Sequence, residues 1–263
     1  MTQNNILLDK AKALKLYGVI AHFDEIATCD WIANLISWEE LERNNRNNLS
    51  RLKNARLGQF KPLADFDWNW PKKIDRELIE ELMQLDFIKK SMNVVLCGPN
   101  GVGKSTIAQN IAYQAAVRGF SVLFTSAADM LNDLASCESD ISLQRTIKHY
   151  LKPQLLVVDE VGYLSYSNRH ADLFFEIISK RYNDKSIIVT TNKPFSAWTE
   201  IFQNASCVVS LIDRLVHHAE ITGIEAPSFR LKEAEEQAQL RKKARAERNK
   251  NKKNNVEAPC TPI

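Results

Sequence analysis

Nowhere does this chain approach the roughly 18 uninterrupted apolar residues of a membrane span. No membrane is therefore expected among its partners. Its five cysteines, Cys29, Cys97, Cys137, Cys207 and Cys260, are odd in number, widely scattered and without a CxxC pair. That pattern argues against a disulfide framework and against a zinc site, and it suits a reducing cytosol. The opening MTQNNILLDKAKALK lacks a basic stretch followed by a long apolar core and a small-residue cleavage site, so no secretory signal is expected and the expected compartment is cytoplasmic. There is no internal repeat. After Arg230 aromatic residues are absent, and the stretch LKEAEEQAQLRKKARAERNKNKKNN can form a frayed helix followed by disorder but cannot build a core.

What remains is a soluble globular composition, 44% hydrophobic and 25% charged over 263 residues, enough for one medium α/β domain with a smaller attachment. The net charge of +3 is unevenly spread. Arg43, Arg46, Arg51, Lys53, Arg56 and Lys61 follow one another without an intervening acid, and eight basic residues between Arg241 and Lys253 face Glu247 alone. Clustered positive charge is the footprint of a protein that meets nucleic acid, although solvated helix faces and a disordered tail give the same pattern.

The first third reads as helical. Ile6, Leu7, Ala11 and Leu14 recur at helical spacing, with Gly18 as the expected stop. A second pattern runs from Trp38 through Leu41 to Leu49 and Leu52. PLADFDWNWPKK (Pro62 to Lys73) breaks the periodicity, and a domain boundary is expected there. The expected division is a helical domain over 1–65, an α/β domain over 66–230 and a basic, flexible tail over 231–263. One helix is expected from about Ile74 to Lys90. From Asn93 short apolar runs alternate with helical patterns: VVLC, VLFT, LLVVDE and IIVTT are strands, with helices over Ser105 to Val117 and about Ala171 to Tyr182. Apolar strands separated by helices predict a parallel sheet covered on both faces.

GPNGVGKS, Gly98 to Ser105, fits G-x-x-x-x-G-K-[ST] between an apolar strand and an amphipathic helix. Gly98, Pro99, Asn100, Gly101, Val102 and Gly103 curl the backbone so that its N–H groups face phosphate oxygens, while Lys104, Ser105 and Thr106 open a helix whose N-terminus favours the same anion. Lys104 neutralises the β- and γ-phosphates of ATP, and the Ser105 hydroxyl ligates Mg²⁺. In LLVVDE, Asp159 ends a buried strand and holds the Mg²⁺ water shell. Glu160 is placed to take a proton from an attacking water. Asn192, after IIVTT, can hydrogen-bond that water or the γ-phosphate. Arg214, in LIDRLVHHAEI, reads locally as a surface arginine. His217 and His218 point in different directions on a helix and have no third ligand nearby.

Taken together and in order, LLDKAKALKLYGV, RLKNARL, GPNGVGKS, LLVVDEVGYL, IIVTTNKPFSAW, IDRLVHHAEI and APSFRLKEA resemble the IstB-like ATP-binding proteins. These are transposition helpers of insertion sequences and relatives of the DnaC helicase loader. The resemblance implies an α/β AAA+ P-loop NTPase core with a parallel sheet, preceded by a small all-helical DNA-binding domain that uses Arg43, Arg46, Arg51, Lys53 and Arg56. It implies Asn192 as the sensor-1 residue and Arg214 as an arginine finger reaching a neighbouring subunit's ATP. It also brings Arg230 toward the nucleotide and makes duplex DNA, a transposase and further copies of the chain the partners. A helicase loader is the alternative; its N-terminal arm must bind a protein, whereas the Arg43–Lys61 cluster better suits phosphates. A small-molecule kinase fits less well, since it needs no water-activating Glu160, and so does an ATP switch without hydrolysis, given Glu160 and Asn192.

Overall fold

The computed structural model describes residues 3–163, 165–203 and 205–256, with side chains over 4–243 of these. Its first part is helical: α1 (Gln3–Ala13), α2 (Tyr17–Ala21), α3 (Phe23–Ile26) and the long α4 (Asp30–Ala55). The expected stop at Gly18 falls earlier, at Lys15, whose φ of 53° turns the chain; Gly18 lies within α2. Ala11, Ile32 and Ile36 are buried at the centre of this helical cluster, with Leu7, Leu14, Val19 and Ile26 around them. The stripe expected on α4 is not its buried face, because Trp38, Leu41 and Leu49 are exposed. The helix outruns the small cluster beside it, so only its two ends meet apolar partners. Ile32 and Ile36 face α1–α3, and Ala55 joins the core of the sheet.

The single helix expected over 74–90 is broken. α5 (Arg76–Leu82), capped by the Asp75 carboxylate accepting from Leu78 N–H at 2.9 Å, gives way to α6 (Asp86–Lys89). Leu85 between them has φ 69° and is buried. Backbone strain at a non-glycine residue is accepted here, and it lets Leu82, Leu85, Phe87 and Ile88 all reach one core, which a straight helix would split between faces.

Then follow β1 (Asn93–Cys97), α7 (Lys104–Val117), β2 (Val122–Ser126), α8 (Ala127–Ala135), α9 (Asp140–Leu151), β3 (Leu155–Val161), α10 (Asn168–Arg181), β4 (Ser186–Thr191), α11 (Trp198–Ile201), α12 (Val208–Val216), β5 (Ala219–Gly223) and α13 (Phe229–Val256). The strands form one parallel five-stranded sheet in the order β2-β3-β4-β1-β5. One face carries α8, α10 and α12, the other α5 to α7, so the central strands are buried on both sides. β5 is the strand the sequence did not announce. Lying at the sheet edge, it buries only Thr222, and its polar AEITG lacks an apolar run. Beyond Arg230 the chain is helical as far as Val256, so the stretch over 231–255, where a frayed helix followed by disorder is expected, is helix throughout; 257–263 lie outside the described residues. Among the described residues, no helix is long and apolar enough to cross a membrane.

Chain order differs from sheet order, and the crossovers bring the C-terminal ends of β1, β3 and β4 side by side. That is where ligands bind in open α/β sheets. Arg181, 1% exposed, anchors the opposite end. Its guanidinium donates to the carbonyls of Tyr150 at 3.0 Å, Pro153 at 2.9 Å, Gln154 at 3.2 Å and Ser186 at 2.8 Å. It thereby closes the end of α9 and fixes the starts of β3 and β4. Burial pulls its pKa down to about 10, which leaves it charged at neutral pH. Arg181→Met should cost roughly 3 kcal/mol or more, because several buried carbonyls lose their donor together. Urea unfolding monitored by circular dichroism reads the loss.

Candidate functional site

The loop after β1 is shaped by what its glycines permit. Gly101 and Gly103 have φ of 78° and 100°, which side-chain-bearing residues rarely adopt. A Cβ on Gly103 would stand 2.5 Å from the Phe66 ring, and one on Gly101 would strike Ser228. Gly103 also precedes α7, whose unsatisfied N-terminal N–H groups face the loop. Lys104 is 7% exposed. Its ammonium donates to the carbonyls of Gly98 and Pro99, both at 2.8 Å. Burial pushes its pKa below the ordinary lysine value, and Asp159 and Glu160 pull it back up. Pro99 and Asn100 are exposed on the loop and Val102 packs beneath it.

Ser105 Oγ donates to Asp159 Oδ1 at 2.9 Å. The same carboxylate oxygen accepts from Thr190 Oγ1 of β4. Where β3 meets β4 the register skips: Val158 faces Val189, but Val161 faces Thr191. Asp159 and Glu160 thus oppose Thr190 alone, a β-bulge of the kind that re-aims side chains. Glu160 has φ 62° and is exposed in the cleft. Asn192, just past β4, is half-buried, and its Oδ1 is buried without a hydrogen-bond partner.

Two segments wall the cleft, about 780 Å³ in volume, and neither was singled out from sequence as a wall. One is the 60–70 stretch, contributing Phe66 and Trp70; the other runs from Ile224 to Glu233, contributing Phe229 and Arg230. They are joined to each other: Trp70 Nε1 donates to the Pro227 carbonyl at 3.0 Å, and the backbones of Lys73 and Glu225 pair. Phe229 N–H donates to the Gly101 carbonyl at 2.9 Å, which seats the second wall on the loop. Asn110 of α7 secures the first wall, accepting from Leu63 N–H and donating to the Lys61 carbonyl, each at 2.9 Å. The breaker chemistry of PLADFDWNWPKK marked a boundary; the segment also forms this wall.

The structure therefore gathers Asn100 to Thr106, Asp159, Glu160, Asn192 and Arg230 around one cleft, with Gly98 and Pro99 held behind it by the Lys104 ammonium. Arg214 is not among them. It sits on α12 with its guanidinium 4.7 Å from the centre of the Phe175 ring. The basic residues of α4 are elsewhere too, and several are engaged. Arg43 is paired with Glu39 and donates to the Leu14 carbonyl. Arg46 lies against Glu39 and Glu42. Arg51 is half-buried, donating to Asn48 and, at 3.2 Å, to the Ala116 carbonyl of α7. Through these contacts Arg51 fastens α4 to α7. Lys53 and Arg56 are exposed.

A buried ammonium, inward-curled backbone and a helix N-terminus together fit the triphosphate of a nucleotide. Ser105 Oγ and Asp159 Oδ1 are hard oxygen donors that suit Mg²⁺ completed by phosphate and water. Among the described residues, no group of three or more His, Cys, Asp or Glu could hold a metal by itself, so such an ion would be shared with the phosphates. Comparison with known proteins agrees. The IstB-like ATP binding protein family matches residues 3–237. The chain belongs to this family. The insertion sequence IS21 putative ATP-binding protein of Pseudomonas aeruginosa is 38% identical over 191 residues, covering 73% of this chain and 72% of that one. The insertion sequence IS5376 putative ATP-binding protein of Geobacillus stearothermophilus is 31% identical over 217 residues, covering 82% and 86%. Among solved structures, AMPPCP-bound DnaA from Aquifex aeolicus aligns with a TM-score of 0.53 at 21% identity, over 70% of this chain and 56% of that one. DnaI aligns with a TM-score of 0.52 at 19% identity, over 64% and 89%. These structural likenesses are of fold, that of an AAA+ P-loop NTPase core; in this chain a helical N-terminal segment precedes it.

Lys104→Ala should raise the dissociation constant for ATP about 10²-fold or more, since it removes charge-assisted hydrogen bonds to phosphate from a desolvated site. Titration with a fluorescent ATP analogue measures it.

Proposed function

We propose that the protein is a cytoplasmic ATPase that assembles on duplex DNA with ATP and Mg²⁺ and delivers that DNA to a transposase. The observation carrying the ATPase reading is the carboxylate pair on the β3 bulge. Asp159 is turned toward Ser105, and Glu160 is turned into the cleft beside an unpartnered Asn192 Oδ1. Glu160 takes a proton from water as the water oxygen bonds the γ-phosphorus and the bond to the β,γ-bridging oxygen breaks, leaving ADP and phosphate. Asn192 holds that water, and Lys104 with the loop N–H groups meets the charge on the β- and γ-oxygens. Bound Mg²⁺ supplies charge neutralisation at those same oxygens. Glu160→Gln should keep ATP affinity within about threefold while lowering turnover by about 10² or more. Normal phosphate release by this variant removes the assignment.

Arg214 lies off the chain's own cleft, which supports its acting on a neighbour's nucleotide in an oligomer with ATP sites at subunit interfaces. An arginine supplied in trans contributes about 10³ or more in related phosphoryl transfers. Mixing Arg214→Ala with Glu160→Gln subunits should restore part of the activity each lacks alone. A co-assembled mixture as inactive as either variant places the finger elsewhere.

The insertion-sequence relatives support a role with mobile DNA. For DNA contact the helical segment up to residue 65 is the proposed module, with Lys53 and Arg56 as the cations free of the fold. Arg43 and Arg46 are held only by surface ion pairs of small worth and can exchange them for phosphates. Each phosphate neutralised contributes about −0.9 to the slope of log affinity against log salt. Lys53→Gln with Arg56→Gln should therefore flatten that slope by about two units at most. Arg51→Ala should instead lower the melting temperature. Truncation after Leu240 tests the basic tail: if it loses DNA binding while the double variant keeps its slope, the contact is at the other end of the chain.

A further inference from the structure

We propose that Thr190 is a positioning residue for the water-activating carboxylate, setting the direction of Glu160 and of Asp159 through one hydroxyl. The inference rests on the ATPase reading above and adds to it a residue to which the sequence pattern assigns no role.

Thr190 is wholly buried and follows three aliphatic residues of its strand, Ile187, Ile188 and Val189. A hydroxyl there must find partners, since burying it unpaired is costly. Its partners are the two residues of the bulge. Thr190 Oγ1 donates to Asp159 Oδ1 and accepts from the Glu160 N–H at 2.9 Å. A hydroxyl has one proton to give, so the assignment is unambiguous. Asp159 as a carboxylate can only accept, and Glu160 N–H can only donate. The single proton therefore points at Asp159, and a lone pair faces the Glu160 backbone.

This arrangement answers the question that the bulge raises. With an extra residue on β3, the N–H of Glu160 loses its ladder partner, and its φ of 62° is a conformation that a glutamate holds only when surroundings impose it. The Thr190 hydroxyl supplies the missing acceptor at that point. Because threonine is branched at Cβ, its χ1 is stiff, so the hydroxyl arrives from a fixed direction. The Asp159 oxygen it grips is the one that Ser105 also reaches. The two carboxylates are thereby held against each other's drift: one through its side chain, the other through its backbone.

The test uses the full chain with Thr190→Val, which keeps the shape and removes both hydrogen bonds, and Thr190→Ser, which keeps the hydroxyl and removes the methyl. ATP affinity, kcat and KM with duplex DNA present, and thermal unfolding are measured for each. Supporting residues of this kind typically change activity by about 10- to 100-fold. Valine should lower kcat in that range and leave ATP affinity within about threefold, while serine should recover most of the loss. Should valine not fold, Thr190→Ala removes the same hydroxyl with less crowding and takes its place. Wild-type kcat in the hydroxyl-free variant overturns the inference alone. Equal loss in the serine variant, or a parallel fall in affinity and kcat that follows the melting temperature, also overturns it, since packing then explains the residue. A wild-type protein that binds ATP yet never turns it over overturns the ATPase reading and this inference with it.

Discussion

A lysine ammonium buried at the head of a helix is the constraint around which this molecule is organised. Lys104 has lost most of its water, and in exchange it holds two loop carbonyls, with no carboxylate of the described residues in direct contact. Charge in such a place is tolerated because a diffuse negative field surrounds it: Asp159 and Glu160 stand near enough to favour protonation without closing an ion pair. An ammonium donates three times, and with two donations made to loop carbonyls its third N–H suits a phosphate oxygen. Had either carboxylate formed a direct bridge, an incoming anion would have to break it. The glycines, the helix N-terminus and the two walls all keep this cation desolvated yet reachable.

The sheet transmits that requirement across the molecule. Arg181 collects backbone carbonyls at one end of β3 and β4, and Thr190 collects the bulge residues at the other. Between them the strands are aliphatic and buried on both faces, leaving little freedom for slippage. The distance from the phosphate loop to the carboxylates is thus set by strand register, while their aim is set by one irregularity within it.

Much of the cleft was legible before any coordinate. GPNGVGKS and LLVVDE carry their chemistry in consecutive residues, with strand and helix patterns on either side to give orientation, and the four runs read as strands are all found in the sheet. Contacts between distant segments left no such trace. Trp70 and Pro227 are far apart in the chain, and their meeting over the loop follows from the sheet order. Leu85 looks like one more residue of an apolar stripe until the core is seen to need a kink there. The threonines ending IIVTT were a signal that passed unused, since buried hydroxyls demand partners. The basic cluster on α4 had another. Glu39 and Glu42 stand four residues before Arg43 and Arg46, a spacing at which opposite charges meet on a helix, so part of that charge was already spoken for.

Asn110 draws a further consequence. Its side-chain amide bridges the helix that begins with the phosphate-binding lysine to the chain at Lys61 and Leu63. A recombinant fragment starting at residue 66, where the sequence pattern divides the chain, would begin downstream of both partners. It would expose an amide that the intact chain keeps 7% accessible, and it would leave Phe66, the cover over Gly103, at the chain terminus. The apparent seam in the sequence is a poor place to cut. The half that holds the sheet is autonomous in topology but not in solvation, and minimal versions of it need to retain the end of α4 and the strap that follows.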